Sequence, residues 1–190
     1  MASFADTFVE GFYHITDLQG ADHIVFLLAL CSGFGWSSWK KVLMLVTAFT
    51  IGHAITLILA GLDLVRVSSS WIEFLIPVTI LITAFGNLIR KNNHQLGPLY
   101  PVALLFGLIH GLGFSNYFRI ISNDSDLVVD LLAFNLGVEA GQIPIVLGVM
   151  LLGWLVCRFF AYSERDWQRL VSGIAIGAAL MLIVDTWPGL

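Results

Sequence analysis

The chain has 190 residues, of which 58% are hydrophobic and 12% charged, about half the usual ~25% charged. A soluble domain of this size could not bury so much apolar side chain, whereas six spans of ~20 residues use about 120 positions and leave roughly 70 for loops and tails. A soluble enzyme, a secreted disulfide scaffold and a disordered chain are thereby excluded, and a net charge of −4 with nine Lys and Arg leaves no electrostatic footprint for nucleic acid.

In chain order, the first twenty residues carry Asp6, Glu10 and Asp17 and lack the basic region of a cleavable signal, so they are expected to belong to the mature protein. Long apolar runs bounded by polar clusters then predict spans at 21–36, 39–62, 71–89, 99–118, 127–159 and 167–184. The fifth, at ~33 residues and ~1.5 Å each, exceeds a ~30 Å hydrocarbon core, so it must tilt, protrude or bend. Gly137, Gly141 and Pro144 mark where a bend is expected. Ser70 with Glu73, and Ser163 with Asp166, read as capping pairs opening the third and sixth spans. Trp36, Trp39, Trp71, Trp167 and Trp187 stand at span ends, as interfacial anchors do. No repeat, linker or low-complexity tract divides the chain, so the expectation is one all-α domain over 1–190, a polytopic bundle of about six transmembrane helices embedded in a lipid bilayer.

Positive charge orients the bundle, because Lys and Arg stay cytoplasmic. Lys40, Lys41, Arg90, Lys91, Arg158, Arg165 and Arg169 fall at one face, and Arg66 and Arg119 at the other. Seven against two puts both termini outside. The acids agree: Asp6, Glu10, Asp17, Asp22, Asp63, Glu73, Asp124, Asp126, Asp130 and Asp185 face out, Glu164 and Asp166 in. Such an outer face would concentrate cations. Cys31 and Cys157 fall toward the cytoplasmic half, where thiols stay reduced, and read as packing residues.

An ionisable side chain inside a span costs at least a few kcal/mol and points to function. His23 opens the first span, His53 lies in the second, His110 in the fourth and Glu139 in the fifth. His53, His110 and Glu139 fall roughly 12–18 Å below the outer ends of their spans, at or just outside the midplane, with Asp22 and His23 shallower. Three helices thus deliver nitrogen or oxygen donors to one level, as a coordination site requires. Asn135, Glu139 and Gln142, at i, i+4 and i+7, form one polar stripe, and Thr50, His53 and Thr56 a smaller one. The alternative for these stripes is interhelical hydrogen bonding with small residues for packing. Imidazole and carboxylate suit nickel, cobalt, zinc or iron, and the absence of nearby thiolate or clustered Met argues against copper(I). His94 sits in the polar loop 91–95 and reads as a solvated residue.

Four segments resemble the HupE/UreJ family of bacterial membrane proteins: Gly11-Phe12-Tyr13-His14 through Asp22-His23-Ile24-Val25-Phe26, Phe49-Thr50 to His53, Phe106-Gly107-Leu108 to His110-Gly111-Leu112-Gly113-Phe114, and Phe134-Asn135 to Glu139 and Gln142. That family is often encoded beside hydrogenase or urease genes and regarded as nickel or cobalt permeases. Its first motif looks like a His, five residues, then Asp-His, whereas here seven residues separate His14 from Asp22. On a continuous helix the family spacing puts both His on one face, but nine steps of ~100° place His14 and His23 on opposite faces. Co-ligation by His14 then needs a break, for which Gly20 is the candidate, so His14 and Asp17 rank below Asp22, His23, His53 and His110.

The resemblance implies a multi-pass protein of the bacterial inner membrane that takes up a divalent transition metal, nickel or cobalt. Asp22 and His23 are the expected entry ligands and His53 and His110 the deeper site. Glu139 ligates or compensates charge, with Asn135, Gln142 and Thr50 orienting the ligands. The alternative is an intramembrane hydrolase in which a His-bound zinc activates water and Glu139 or Asp22 is the general base. The scarcity of polar residues in the inner halves of the spans keeps that alternative open. A b-type cytochrome with His53 and His110 as axial ligands is a third. A homo-oligomer or a partner subunit is compatible with all three.

Overall fold

In a computed structural model, residues 3–18, 20–90, 97–121 and 127–188 are described, without the side chains of 115–121. Lys91, His94, Asp124 and Asp126 lie outside that set, as does the Arg119 side chain. Seven α-helices follow in order: α1 (Phe4–Thr16), α2 (Asp22–Ser32), α3 (Trp39–Gly61), α4 (Ser69–Ile89), α5 (Leu99–Ile121), α6 (Leu127–Phe159) and α7 (Glu164–Asp185). A 3₁₀ turn, Trp36–Ser38, leads into α3, and no strand occurs among the described residues.

Four helical stretches are long and apolar enough to cross a membrane, Trp36–Gly61, Ser69–Ile89, Leu127–Phe159 and Glu164–Asp185, matching the predicted second, third, fifth and sixth spans within a few residues. The described apolar part of α5, Leu99–Phe114, is shorter. The first predicted span, 21–36, is α-helical over 11 residues, Asp22–Ser32, about 16 Å at ~1.5 Å per residue, shorter than the run the sequence offers. α6 runs as one 33-residue helix through Pro144.

The N-terminal helix α1, 13 residues long with Asp6 and Glu10 in it, is shorter than a membrane span. Its apolar positions Phe4, Phe8, Phe12 and Ile15 nevertheless recur at helical spacing, and Ser3 and Asp6 close a capping box in which each backbone N–H donates to the other's side chain, at 2.9 and 3.2 Å. The predicted Ser163–Asp166 box is present on α7. The Ser70–Glu73 pair is not: α4 starts at Ser69 with Ser68 as its N-cap, so Ser70 is already inside the helix. Trp36, Trp39, Trp71 and Trp187 are exposed, but Trp167 is 8% exposed and lies against Gly153.

Two helix pairs touch backbone to backbone. Between α3 and α5, a Cβ on Gly52 would overlap the Leu104 carbonyl, one on Gly107 the Phe49 carbonyl, and one on Gly111 the Thr56 hydroxyl and the His53 backbone. Between α1 and α6, Gly11 meets the Phe134 carbonyl, Gly137 the Phe8 carbonyl, and Gly141 both Ile15 and the Phe12 carbonyl. Small residues permit this approach where apolar solvent gives no hydrophobic drive between helices. At the opposite end of α2 from His23, α2, α4 and α7 are joined by polar bonds. Asn87 donates to the Ala29 carbonyl (2.7 Å) and the Ser32 hydroxyl (3.3 Å), Gln168 to the Asn87 carbonyl (2.9 Å), and Arg165 to the carbonyls of Leu88 and Arg90.

The glycine contacts give a direct expectation. Gly52→Val or Gly107→Val must push two backbones apart and should cost about 3 kcal/mol or more. Gly173→Ala on α7, where a Cβ meets nothing within 4 Å, should stay within about 1 kcal/mol of the parent. Thermal unfolding of the purified protein in detergent measures both, and equal stability of all three variants would contradict the packing described.

Candidate metal centre

His14 occupies the last turn of α1, and Asp22 and His23 the first turn of α2. Helix geometry ends between them, at Asp17, so the nine-step argument against His14 does not apply. A Cβ on Gly20 would lie 3.9 Å from an Asp22 carboxylate oxygen and 4.0 Å from one of Asp17, which places this glycine between the two acids at the bend. The reversal brings His14 back over His23, with ring centroids 4.8 Å apart.

His53 of α3 completes a trio. One ligand nitrogen from each of His14, His23 and His53 lies within 4.8 Å of the others, and the rings of His14 and His23 stand 5.9 and 6.4 Å from that of His53. His110 of α5 lies beside this trio rather than in it, with its ring 5.2 Å from that of His23. Phe26, Phe49, Phe114 and Phe134 wall the group, Phe114 at 4.2 Å from His14 and Phe134 stacked on His53. His53 and His110 are 0% and 1% exposed.

Hydrogen bonding assigns the tautomers. Asn135 donates its amide to the Leu131 carbonyl at 2.8 Å, which turns its oxygen toward His53 Nδ1 at 3.4 Å. His53 Nδ1 therefore carries the proton, since an amide oxygen can only accept. The His110 Nδ1 donates to the Phe106 carbonyl at 2.8 Å, and His23 Nδ1 donates to the Asp22 carboxylate at 3.1 Å, which also accepts from the His23 backbone at 2.9 Å. Each of these three rings thus presents an unprotonated Nε2. The Nε2 atoms of His14, His23, His53 and His110 are all buried without a hydrogen-bond partner. Buried polar atoms are partnered as a rule, so four unpartnered imidazole nitrogens in one aromatic box are exceptional. Imidazole held through its other nitrogen by a carboxylate, amide or carbonyl is how proteins present it to a metal, and three converging nitrogens could bind a divalent ion.

The remaining predicted residues fall around this centre. Asp22 orients His23, and Asp17 is exposed at the end of α1. The whole stripe of α6 faces α3: Asn135 meets His53, Thr47 donates to Glu139 at 2.8 Å, and Thr50 donates to Gln142 at 2.9 Å. Glu139 and Gln142 are therefore outside the trio. Thr47 escaped the sequence reading, although its i, i+3, i+6 spacing to Thr50 and His53 marks the same face. So did Ser32, Asn87, Gln168 and Ser172, buried polar residues that correct the expectation of nearly apolar inner halves. Cys31 and Cys157 are free thiols, Cys31 buried in the core.

The profile of the HupE / UreJ protein family matches residues 1–187, which includes every side chain named above. The chain belongs to the HupE/UreJ family. No curated protein and no solved structure matches it. Within this HupE/UreJ chain all four resembling segments reach the imidazole group or the polar stripe beside it.

If one ion is held by the trio, loss of any ligand removes most of the affinity, so the losses cannot add. His14→Ala, His23→Ala and His53→Ala should each lower bound nickel nearly as much as the triple substitution. His110→Ala should do less, and Asn135→Leu should weaken binding roughly tenfold to a hundredfold by freeing the His53 ring. Elemental analysis of the purified variants checks the series, and a His14→Ala protein that retains full metal would remove His14 from the site.

Proposed function

We propose that this protein is a multi-pass uptake permease of the bacterial inner membrane for a divalent transition metal, nickel or cobalt, with both termini outside. The observation that carries the reading is the set of buried, partnerless imidazole nitrogens whose rings are held from behind by Asp22, Asn135 and the Phe106 carbonyl. The seven-to-two distribution of Lys and Arg supports the orientation, and the acidic outer segments supply an electrostatic funnel.

In this account Asp17, exposed at the bend, draws the hydrated cation to the mouth of the site. His14, His23 and His53 then replace part of its water shell inside the phenylalanine box, where nitrogen donors favour nickel, cobalt or zinc over magnesium and calcium. Asp22 offsets the charge of the bound ion through His23. His110, next to His23, takes the ion or a water as it moves.

One feature favours the second reading, an intramembrane zinc hydrolase: three imidazoles are the number of protein ligands that leaves a hydrolytic zinc an open position. Uptake separates the two. Cells expressing the protein should accumulate radiolabelled nickel or cobalt, His53→Ala should abolish the accumulation at unchanged protein level, and acidification should depress it as protons compete for Nε2. Unchanged accumulation on expression, together with cleavage of a lipid or peptide bond by the purified protein, would establish the hydrolase.

A further inference from the structure

Beside the imidazoles, α3 and α6 enclose a set of oxygen groups that metal capture does not use. Thr47, Thr50 and His53 are successive members of one face of α3, so Thr50 and Thr47 lie ~4.5 and ~9 Å from His53 along the axis, toward the end of the bundle rich in Lys and Arg. Thr47 is bonded to Glu139 and Thr50 to Gln142. Glu139 is half-buried at mid-span, a position where a carboxylate is expensive unless it has water or a cation.

Gln142 supplies the decisive detail. It is 0% exposed, and its amide nitrogen has no partner. The Thr50 hydroxyl lies 2.9 Å from the Gln142 oxygen and 3.2 Å from the Val46 carbonyl, yet it has one hydrogen to give. With the amide turned over, Thr50 donates to Val46 and accepts from Gln142, and the unpartnered end becomes a carbonyl oxygen. In either orientation one end of a fully buried amide stays unsatisfied, at a cost of order 1–3 kcal/mol that a ligand would remove.

We infer that Glu139, Gln142, Thr47 and Thr50 form a second cation station of oxygen donors, through which an ion leaving His53 passes toward the Lys- and Arg-rich face. This inference rests on the uptake reading for its direction, but not for the existence of the site. Hard oxygen donors hold a nickel-type ion less tightly than imidazole, which suits release, and they accept manganese, which imidazole favours less. One carboxylate provides the only formal charge, and the transfer exchanges nitrogen for oxygen ligands with no change in oxidation state.

Two arms test it on the full chain. In the first, His23→Ala protein, its imidazole site disabled, is titrated with manganese(II) and followed by electron paramagnetic resonance. One saturable weak site is expected, lost in His23→Ala/Glu139→Gln and weakened at least tenfold in His23→Ala/Gln142→Leu. Absence of saturable binding, or binding unchanged by Glu139→Gln, overturns the station. In the second, proteoliposomes carrying Thr47→Val or Glu139→Gln protein should bind nickel within twofold of the parent while influx falls at least tenfold. Thr56→Val, whose hydroxyl bonds to the Gly52 and His53 carbonyls of its own helix, should leave both unchanged. Parent influx with unaltered influx in Thr47→Val and Glu139→Gln also overturns it. A parent without influx contradicts the uptake reading instead, and the manganese arm still decides the site.

Discussion

The positions of His14, His53 and His110 follow from how closely the helices approach. Gly52 precedes His53 in sequence and takes the Leu104 carbonyl of α5 against its Cα, while Gly111 follows His110 and takes the backbone of His53. The α3–α5 contact thereby fixes both histidines at one level. Gly11 and Gly137 do the same for α1 and α6, setting His14 on one side and Asn135 on the other. A bulkier residue at any of these contacts would separate the backbones and, with them, the ligand atoms. Packing density and site geometry are one property here, which is why the ligands sit on helices held rigidly rather than on loops.

The polar groups divide into two kinds, and the division carries the functional argument. Asn87 and the Gln168 amide nitrogen are bonded to neighbouring helices, and Arg165 to the end of α4; these join α2, α4 and α7 at one end of the bundle. His23, His53 and His110 are bonded through Nδ1 and leave Nε2 without a partner, and His14 Nε2 has none either. Interhelical glue would use the free lone pair as well, because an unpaired acceptor among phenylalanine rings gains nothing from packing. The arrangement makes sense when the lone pairs serve an ion that arrives and leaves, and the surrounding Phe26, Phe49, Phe114 and Phe134 lower the local dielectric and strengthen each contact while it lasts.

Much of this was legible in the sequence because bilayer crossing imposes long uninterrupted apolar runs, and α3, α4, α6 and α7 fall where those runs are. Averaged hydropathy failed where a helix is two-faced or short. α1 has only 13 residues and breaks its apolar positions with Asp6 and Glu10, and the run at 21–36 conceals the stop at Gly33. His23, His53 and His110 stood out as ionisable groups in apolar surroundings. On a continuous helix nine steps would put His14 and His23 on opposite faces, and a turn between two helices, which brings their rings together, is a tertiary fact that spacing alone does not encode. Thr47 gave no signal, since threonine is ordinary in membrane helices until the carboxylate it meets is known.

The central claim is that His14, His23 and His53 bind one ion together. X-ray absorption fine structure of the nickel-loaded full-length protein addresses it directly, because imidazole rings add a characteristic outer-shell scattering to their first-shell nitrogen. The account predicts about three imidazoles around nickel in the parent and one fewer in His14→Ala loaded at high nickel. A first shell without imidazole scattering, or a spectrum unchanged by His14→Ala, would contradict it.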